Sequence, residues 1–222
     1  MNPRSAILLG ASGLVGGCLL PLLAASPAYA AVTLLTRRPL GLEGGKMREV
    51  IVDLDRPESF RDHVRVDDVF CCLGTTIKKA GSQVAFRKVD LEAPVAVARA
   101  ARERGAEQFV IVTAVGADPK SSVFYSRVKG EVEARLSELD FPRGLKILRP
   151  SMILGARAER RPAERFFMAM MGATRAGFVG PLARYRAIEA TALARAMLQA
   201  ASQNAGPGVH AYEGERLFAM AA

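Results

Sequence analysis

Short apolar runs alternate along the chain with longer stretches in which apolar positions recur at helical spacing. Residues 6–9, 31–36, 49–53, 68–73, 108–113 and 145–148 read as strands, and 14–24, 84–104 and 122–139 as helices. The 84–104 stretch puts Leu91, Val95 and Ala98 on one face and restarts near Pro94, with Asp90 in position to cap the restart. Ser121 and Ser122 are the expected caps of the helix at 122–139. The strand runs are apolar throughout instead of alternating, so both of their faces are buried. This predicts an α/β fold, a doubly wound parallel sheet with helices on both sides. After Pro150 come helical stretches at 163–171 and 188–201 and an edge strand at 209–212. The expectation is one domain over 1–222, with a core over 1–155 and a small C-terminal helical lobe over 156–222.

Composition narrows this picture. With 222 residues, half of them apolar and 24% charged, the chain can bury a sizeable core, which excludes a disordered or low-complexity protein. The net charge is +9, and 24 of the basic residues are Arg, the side chain that forks onto phosphates and carboxylates. Anionic partners are therefore favoured. Nucleic acid is not the expected one, because the arginines at 157–165, 175, 184 and 186 lack the interleaved aromatics that stack bases. Those arginines are expected to line a substrate mouth or a solvated face.

Three cysteines, Cys18, Cys71 and Cys72, draw neither a disulfide framework nor a metal-ligand spacing, and the two histidines stand far apart, so no metal is expected. Cys71 and Cys72 read as small buried hydrophobes at a strand end. The apolar run at 7–23 followed by Ala28-Tyr29-Ala30 imitates a secretory signal. Cleavage there would remove the first strand and the glycine-rich turn after it, so a cytoplasmic location is the expectation. No stretch of about 18 uninterrupted apolar residues offers a membrane span.

That turn is Gly10-Ala11-Ser12-Gly13-Leu14-Val15-Gly16, leaving a strand and opening a helix. Residues without a Cβ let backbone approach a pyrophosphate there, while the helix N-terminal amides and dipole face the anion. Twenty residues on, where an acidic side chain would meet the ribose hydroxyls of NAD, the chain has Thr36-Arg37-Arg38. Arg37 could fork onto a 2′-phosphate, with Arg38 beside it, so NADP(H) is favoured over NAD(H). Asp53 and Leu54 close the third strand and are placed to meet the adenine. Leu73-Gly74-Thr75-Thr76 closes the fourth, where backbone can lie along the adenosine ribose.

Tyr125 and Lys129 stand four apart on a helix and share a face. A neighbouring ammonium stabilises a phenolate, which lets the tyrosine exchange a proton with a substrate oxygen. Thr113, twelve residues upstream at the end of the fifth strand, could hold a substrate carbonyl.

Together these residues resemble the short-chain dehydrogenase/reductases: the G-x-x-G-x-x-G turn, Asp53-Leu54, Leu73-Gly74, the Tyr-x-x-x-Lys pair and Leu148-Arg149-Pro150-Ser151. The glycine spacing is that of extended and atypical members. Val115-Gly116-Ala117-Asp118, the YSRVKGEVE segment at 125–133 and residues 148–155 are similar to the atypical branch of Tat-interacting oxidoreductase-like proteins. The resemblance spans about residues 5–160. It implies a Rossmann fold with NADP(H) across the carboxyl edge of the sheet, Tyr125 as general acid/base, Lys129 on the nicotinamide ribose, and Pro150, Ser151 and Met152 near the carboxamide. The chain departs from the family twice: the serine pair after the fifth strand is Thr113-Ala114, and Asp90 stands where many members keep an Asn for a proton relay.

The expected function is that of an NADP(H)-dependent oxidoreductase acting on a small carbonyl or alcohol, as a monomer or homodimer without membrane or nucleic-acid partners. The alternative is an NADP(H)-binding regulatory or scaffold protein with little turnover.

Overall fold

The structure, a computed structural model, describes residues 3–42, 44–155 and 184–221. Seven strands form one parallel sheet: β1 (Arg4–Leu9), β2 (Tyr29–Thr36), β3 (Met47–Ile51), β4 (Asp68–Cys71), β5 (Gln108–Val112), β6 (Leu145–Arg149) and a strand near the C-terminus, Val209–Glu213. A further parallel pair of two residues each, Ile153–Leu154 (β7) with Ile188–Glu189 (β8), lies apart from it, so the seventh sheet strand is β9. The sheet order is β3-β2-β1-β4-β5-β6-β9. The chain runs outward from β1 to β3, returns across β1 to β4 and then builds the other way. The connections diverge between β1 and β4, and a crevice opens there at the carboxyl edge, where open α/β sheets take their ligands.

Alternation along each strand divides the core into two layers. Leu8, Leu34, Phe70, Val110 and Leu148 pack on the face of the sheet that carries α1 (Leu14–Ala25). Ile7, Leu9, Val69, Phe109 and Ile147 pack on the opposite side with residues 91–101 and with Val128, Val132 and Leu136. Short helices α2 (Ile77–Ala80) and α3 (Gln83–Arg87) lead into α4 (Ala93–Glu103), and α5 (Phe124–Ser137) follows β5. Helices α6 (Ala190–Ser202) and α7 (Glu215–Ala221) complete the α1 layer, with Leu193, Ala194, Met197 and Ala201 of α6 buried in it.

The strands predicted from the apolar runs are present, with β3 shifted two residues toward the N-terminus. The edge strand expected at 209–212 pairs in parallel with β6, Lys146 opposite His210. Of the expected C-terminal lobe, residues 184–221 build into the sheet and its helical layer. The rest, 156–183, lies outside the described residues and includes the helical stretch at 163–171 and the arginines at 157–165 and 175.

Two capping expectations are corrected. Asp90 is not a helix cap: a π-helical turn over Lys88–Glu92 carries the chain from α3 into α4 without a break, and the Asp90 side chain turns inward. The N-cap position of α5 is Val123, and Ser121 instead accepts the Val123 amide on its own hydroxyl.

Candidate active site

The glycine turn meets the end of β4 with no room for side chains. Gly10 has φ +80°, and a Cβ on it would lie 2.7 Å from the Cys72 carbonyl oxygen; at Gly16 a Cβ would lie 2.1 Å from the Gly10 carbonyl oxygen. Gly13 is the N-cap of α1, its amide bound to Gly10 O at 2.9 Å, and no side chain caps the helix. The first turn also has no acidic residue. Helix amides and the positive dipole end therefore face the β1/β4 crevice, and the backbone lies open to an anion as a dinucleotide pyrophosphate requires. Leu14 in turn packs against Gly155, where a Cβ would come within 2.6 Å of it, so the segment after β6 closes over the start of α1.

From Cys72 a series of contacts runs along the carboxyl edge. Thr76 caps α2 through its hydroxyl, and the Thr75 amide donates to Asp90 Oδ2 at 2.9 Å. The other oxygen of Asp90 lies 2.7 Å from Lys129 Nζ, with the side chains 1% and 6% exposed. Burial disfavours the Lys129 ammonium, but the Asp90 carboxylate and, after it, Tyr125 more than offset this and hold its pKa above the ordinary lysine value. One turn back on α5, the Tyr125 ring has its centroid 5.9 Å from Lys129 Nζ and 5.9 Å from the Phe86 ring. Tyr125 is 38% exposed, so its face of α5 opens outward while Lys129 lies beneath. Helix α5 can lie this close to the 113–119 loop because residue 130 is glycine; a Cβ there would lie 2.2 Å from the Asp118 backbone.

Thr113 is buried, and its hydroxyl donates to Glu133 Oε1 at 2.6 Å, beside a contact from Arg149 Nε to the same oxygen at 3.0 Å. In this geometry the hydroxyl expected to hold a substrate carbonyl is engaged with Glu133. Arg37 and Arg38 are exposed just beyond β2. The loop after them is shaped by Glu49, which accepts from the Thr36 hydroxyl and the amides of Leu40 and Gly41. Asp53 is exposed just beyond β3 and accepts the Asp55 amide, while Leu54 and Leu73 pack on the α4 side. The Pro150 carbonyl accepts the Val115 amide, the Ser151 hydroxyl donates to Arg186 O, and Met152 O accepts the Ile188 amide.

Direct contacts thus join the glycine turn, residues 72–75, Asp90, Lys129 and Tyr125. Arg37, Arg38 and Asp53 stand on the neighbouring strand ends of the same edge. The sequence did not single out Glu133 or Glu49, and it named Asp90 without its partners. Burial pushes the Cys71 thiol up to about 12 and raises Cys72 as well, so these thiols stay protonated; Cys71 is buried as expected, whereas Cys72 is only partly buried. Among the described residues no cluster of His, Cys, Asp or Glu could hold a metal ion, and no helix is long and apolar enough to cross a membrane.

The model of the NAD(P)H-binding family matches residues 10–141, from the first glycine to the helix carrying the Tyr-Lys pair and just past it. The chain belongs to that family. Its branch is that of the atypical short-chain dehydrogenase/reductases: protein HTATIP2 of Rattus norvegicus is 36% identical over 190 residues, covering 82% of this chain and 78% of that protein. The mitochondrial protein FMP52 of Debaryomyces hansenii is 37% identical over 157 residues, covering 69% and 68%. A solved structure, the Bordetella bronchiseptica enzyme WbmH in complex with NAD+, superposes with a TM-score of 0.72 at 15% identity, covering 96% of this chain and 76% of the other. It shows the shared Rossmann fold. The family relatives correct one expectation: several fungal members are named as mitochondrial proteins, so the cytoplasmic location does not stand.

Proposed function

We propose that this NAD(P)H-binding protein is an oxidoreductase that takes NADP(H) in preference to NAD(H) and moves hydride between nicotinamide and a small carbonyl or alcohol, with Tyr125 as acid/base. The observation that carries this reading is the outward-facing Tyr125 above a buried Lys129, in contact through Asp90 and Thr75 with the loop that follows the glycine crevice. In this reading Gly10, Ser12, Gly13, Leu14, Val15 and Gly16 hold the pyrophosphate. Arg37 and Arg38 hold the 2′-phosphate, and Asp53, Leu54 and residues 73–76 border the adenosine. Lys129 meets the nicotinamide ribose, and residues 150–152 border the carboxamide. The cofactor, when bound, supplies the hydride chemistry; the protein supplies orientation, charge and the proton. The preference for NADP(H) rests on charge: two exposed guanidiniums stand where a carboxylate would repel the extra phosphate.

A second reading, a dinucleotide-loaded regulatory or scaffold protein with little turnover, draws support from Thr113, whose hydroxyl is engaged with Glu133. One experiment separates the two. In the oxidoreductase reading Tyr125→Phe binds NADPH as the unaltered protein does and loses about 10²–10⁴-fold in turnover of a carbonyl panel. If the unaltered protein binds NADPH and turns over no carbonyl or alcohol, the regulatory reading takes its place.

A further inference from the structure

One oxygen of Asp90 accepts the Thr75 amide at 2.9 Å and the other is ion-paired with the Lys129 ammonium at 2.7 Å, in a residue that is 2% exposed. A carboxylate suits this arrangement because it offers acceptors on both sides and no donor. An amide would satisfy one partner and turn its NH2 toward the other. Asp is therefore not interchangeable with Asn here, and the charge it carries has an electrostatic consequence.

A lone buried ammonium beside a phenol draws the phenol toward phenolate. An ammonium paired with a carboxylate has no net charge, and the field of the pair falls off much faster with distance than that of a single ion. The charged and titratable groups acting on Lys129 are Asp90 from the π-helical turn, Tyr125 from its own helix and the Cys71 thiol from the end of β4.

The geometry points to Asp90 as the positioning residue that tunes Tyr125: by neutralising Lys129 from behind, it weakens the pull of the ammonium on the phenol and favours the protonated form that carbonyl reduction uses. This rests on the reading of Tyr125 as the acid/base. In that direction the substrate carbonyl carbon gains hydride from the reduced nicotinamide, which is oxidised. The carbonyl oxygen takes the Tyr125 proton, an alcohol forms from the C=O bond, and solvent returns a proton to the exposed phenolate.

The test reads Tyr125 itself, as tyrosinate absorbance against pH in the full-length protein, with a Tyr125→Phe variant subtracting the other tyrosines. Asp90→Asn leaves an uncompensated cation and lowers the pH of tyrosinate formation by about one unit; Lys129→Met leaves an uncompensated anion and raises it by about as much. The double variant, which buries no net charge, returns it to within about half a unit of the unaltered protein. Single variants that leave the titration where it was, or a double variant shifted by a full unit, overturn the proposal. Where one single variant fails to fold because it buries an unpaired charge, the other, read against the double variant, decides. A protein that turns over no carbonyl while these shifts are observed loses the oxidoreductase reading but keeps the electrostatic role of Asp90.

Discussion

Thr113 donates its hydroxyl to Glu133 across 2.6 Å, and the same carboxylate is clasped by Arg149 through Nε and Nη2. Arg149 also comes within 3.7 Å of Glu213, so one carboxylate on α5 ties together the carboxyl ends of β5, β6 and β9. Glu133→Gln keeps one acceptor but presents NH2 groups to a guanidinium, and the expected loss is about 2–4 kcal/mol of unfolding free energy in a denaturant titration. Thr113→Val removes a single donor and is expected to cost about 1 kcal/mol with turnover changed only a few-fold. A Thr113→Val protein of full stability that had lost turnover a hundredfold would assign this hydroxyl to the substrate instead.

Adjacent glycines in α1 make opposite predictions. A methyl group at residue 16 would lie 2.1 Å from a backbone carbonyl oxygen that cannot move aside, whereas at residue 17 the nearest atom is 3.5 Å away. Gly16→Ala is therefore expected to reduce NADPH affinity at least tenfold by calorimetry and to lower the thermal midpoint. Gly17→Ala is expected to bind normally and to gain up to about 1 kcal/mol from helix propensity. Equal behaviour of the two variants would remove the steric account of the glycine turn.

Replacing Arg37 and Arg38 together by Ala removes two charges from the end of β2 without touching the core. The dissociation constant for NADPH should rise about tenfold or more, that for NADH should stay within about twofold, and the NADPH effect should shrink in high salt. A variant that loses both cofactors equally would show that these arginines do not read the 2′-phosphate.

Lys146 in β6 is buried, and its ammonium nitrogen has no hydrogen-bond partner among the described residues. Burial, with the nearby Arg143, pushes its pKa down to about 8 from an ordinary 10.5. Between those two values the unfolded chain holds a proton that the folded one has released, so stability rises with pH across that window and is flat in this contribution below it. Lys146→Met should remove the rise and be more stable near neutral pH by about 2–3 kcal/mol in chemical unfolding. A variant less stable than its parent at pH 7 would mean that the amine has a partner in the protein.

Much of the site was legible because its signals are local. Gly10, Gly13 and Gly16 are read from consecutive residues whose backbone geometry admits nothing larger. The pairing of Tyr125 with Lys129 follows from helical spacing alone. The partners that give those residues their chemistry come from elsewhere in the chain. Asp90 reaches Lys129 across 39 positions, and nothing in the 84–104 pattern says that a π-helical turn will point its carboxylate inward. Glu133 carries no local signal of its role in the sequence, yet it is 6% exposed beneath the edge of β5.

By itself the sequence determined that short, wholly apolar strands would assemble into a parallel sheet between helices and that a dinucleotide turn would follow the first of them. Apolar periodicity and glycine sterics act within a few residues and survive any choice of neighbours. Only the tertiary structure decided that β9 returns beside β6, that Thr113 gives its hydroxyl to Glu133, and that Lys129 is held by a carboxylate. Those outcomes depend on which buried charge finds an opposite one, a balance of desolvation against pairing that is set only when distant segments meet.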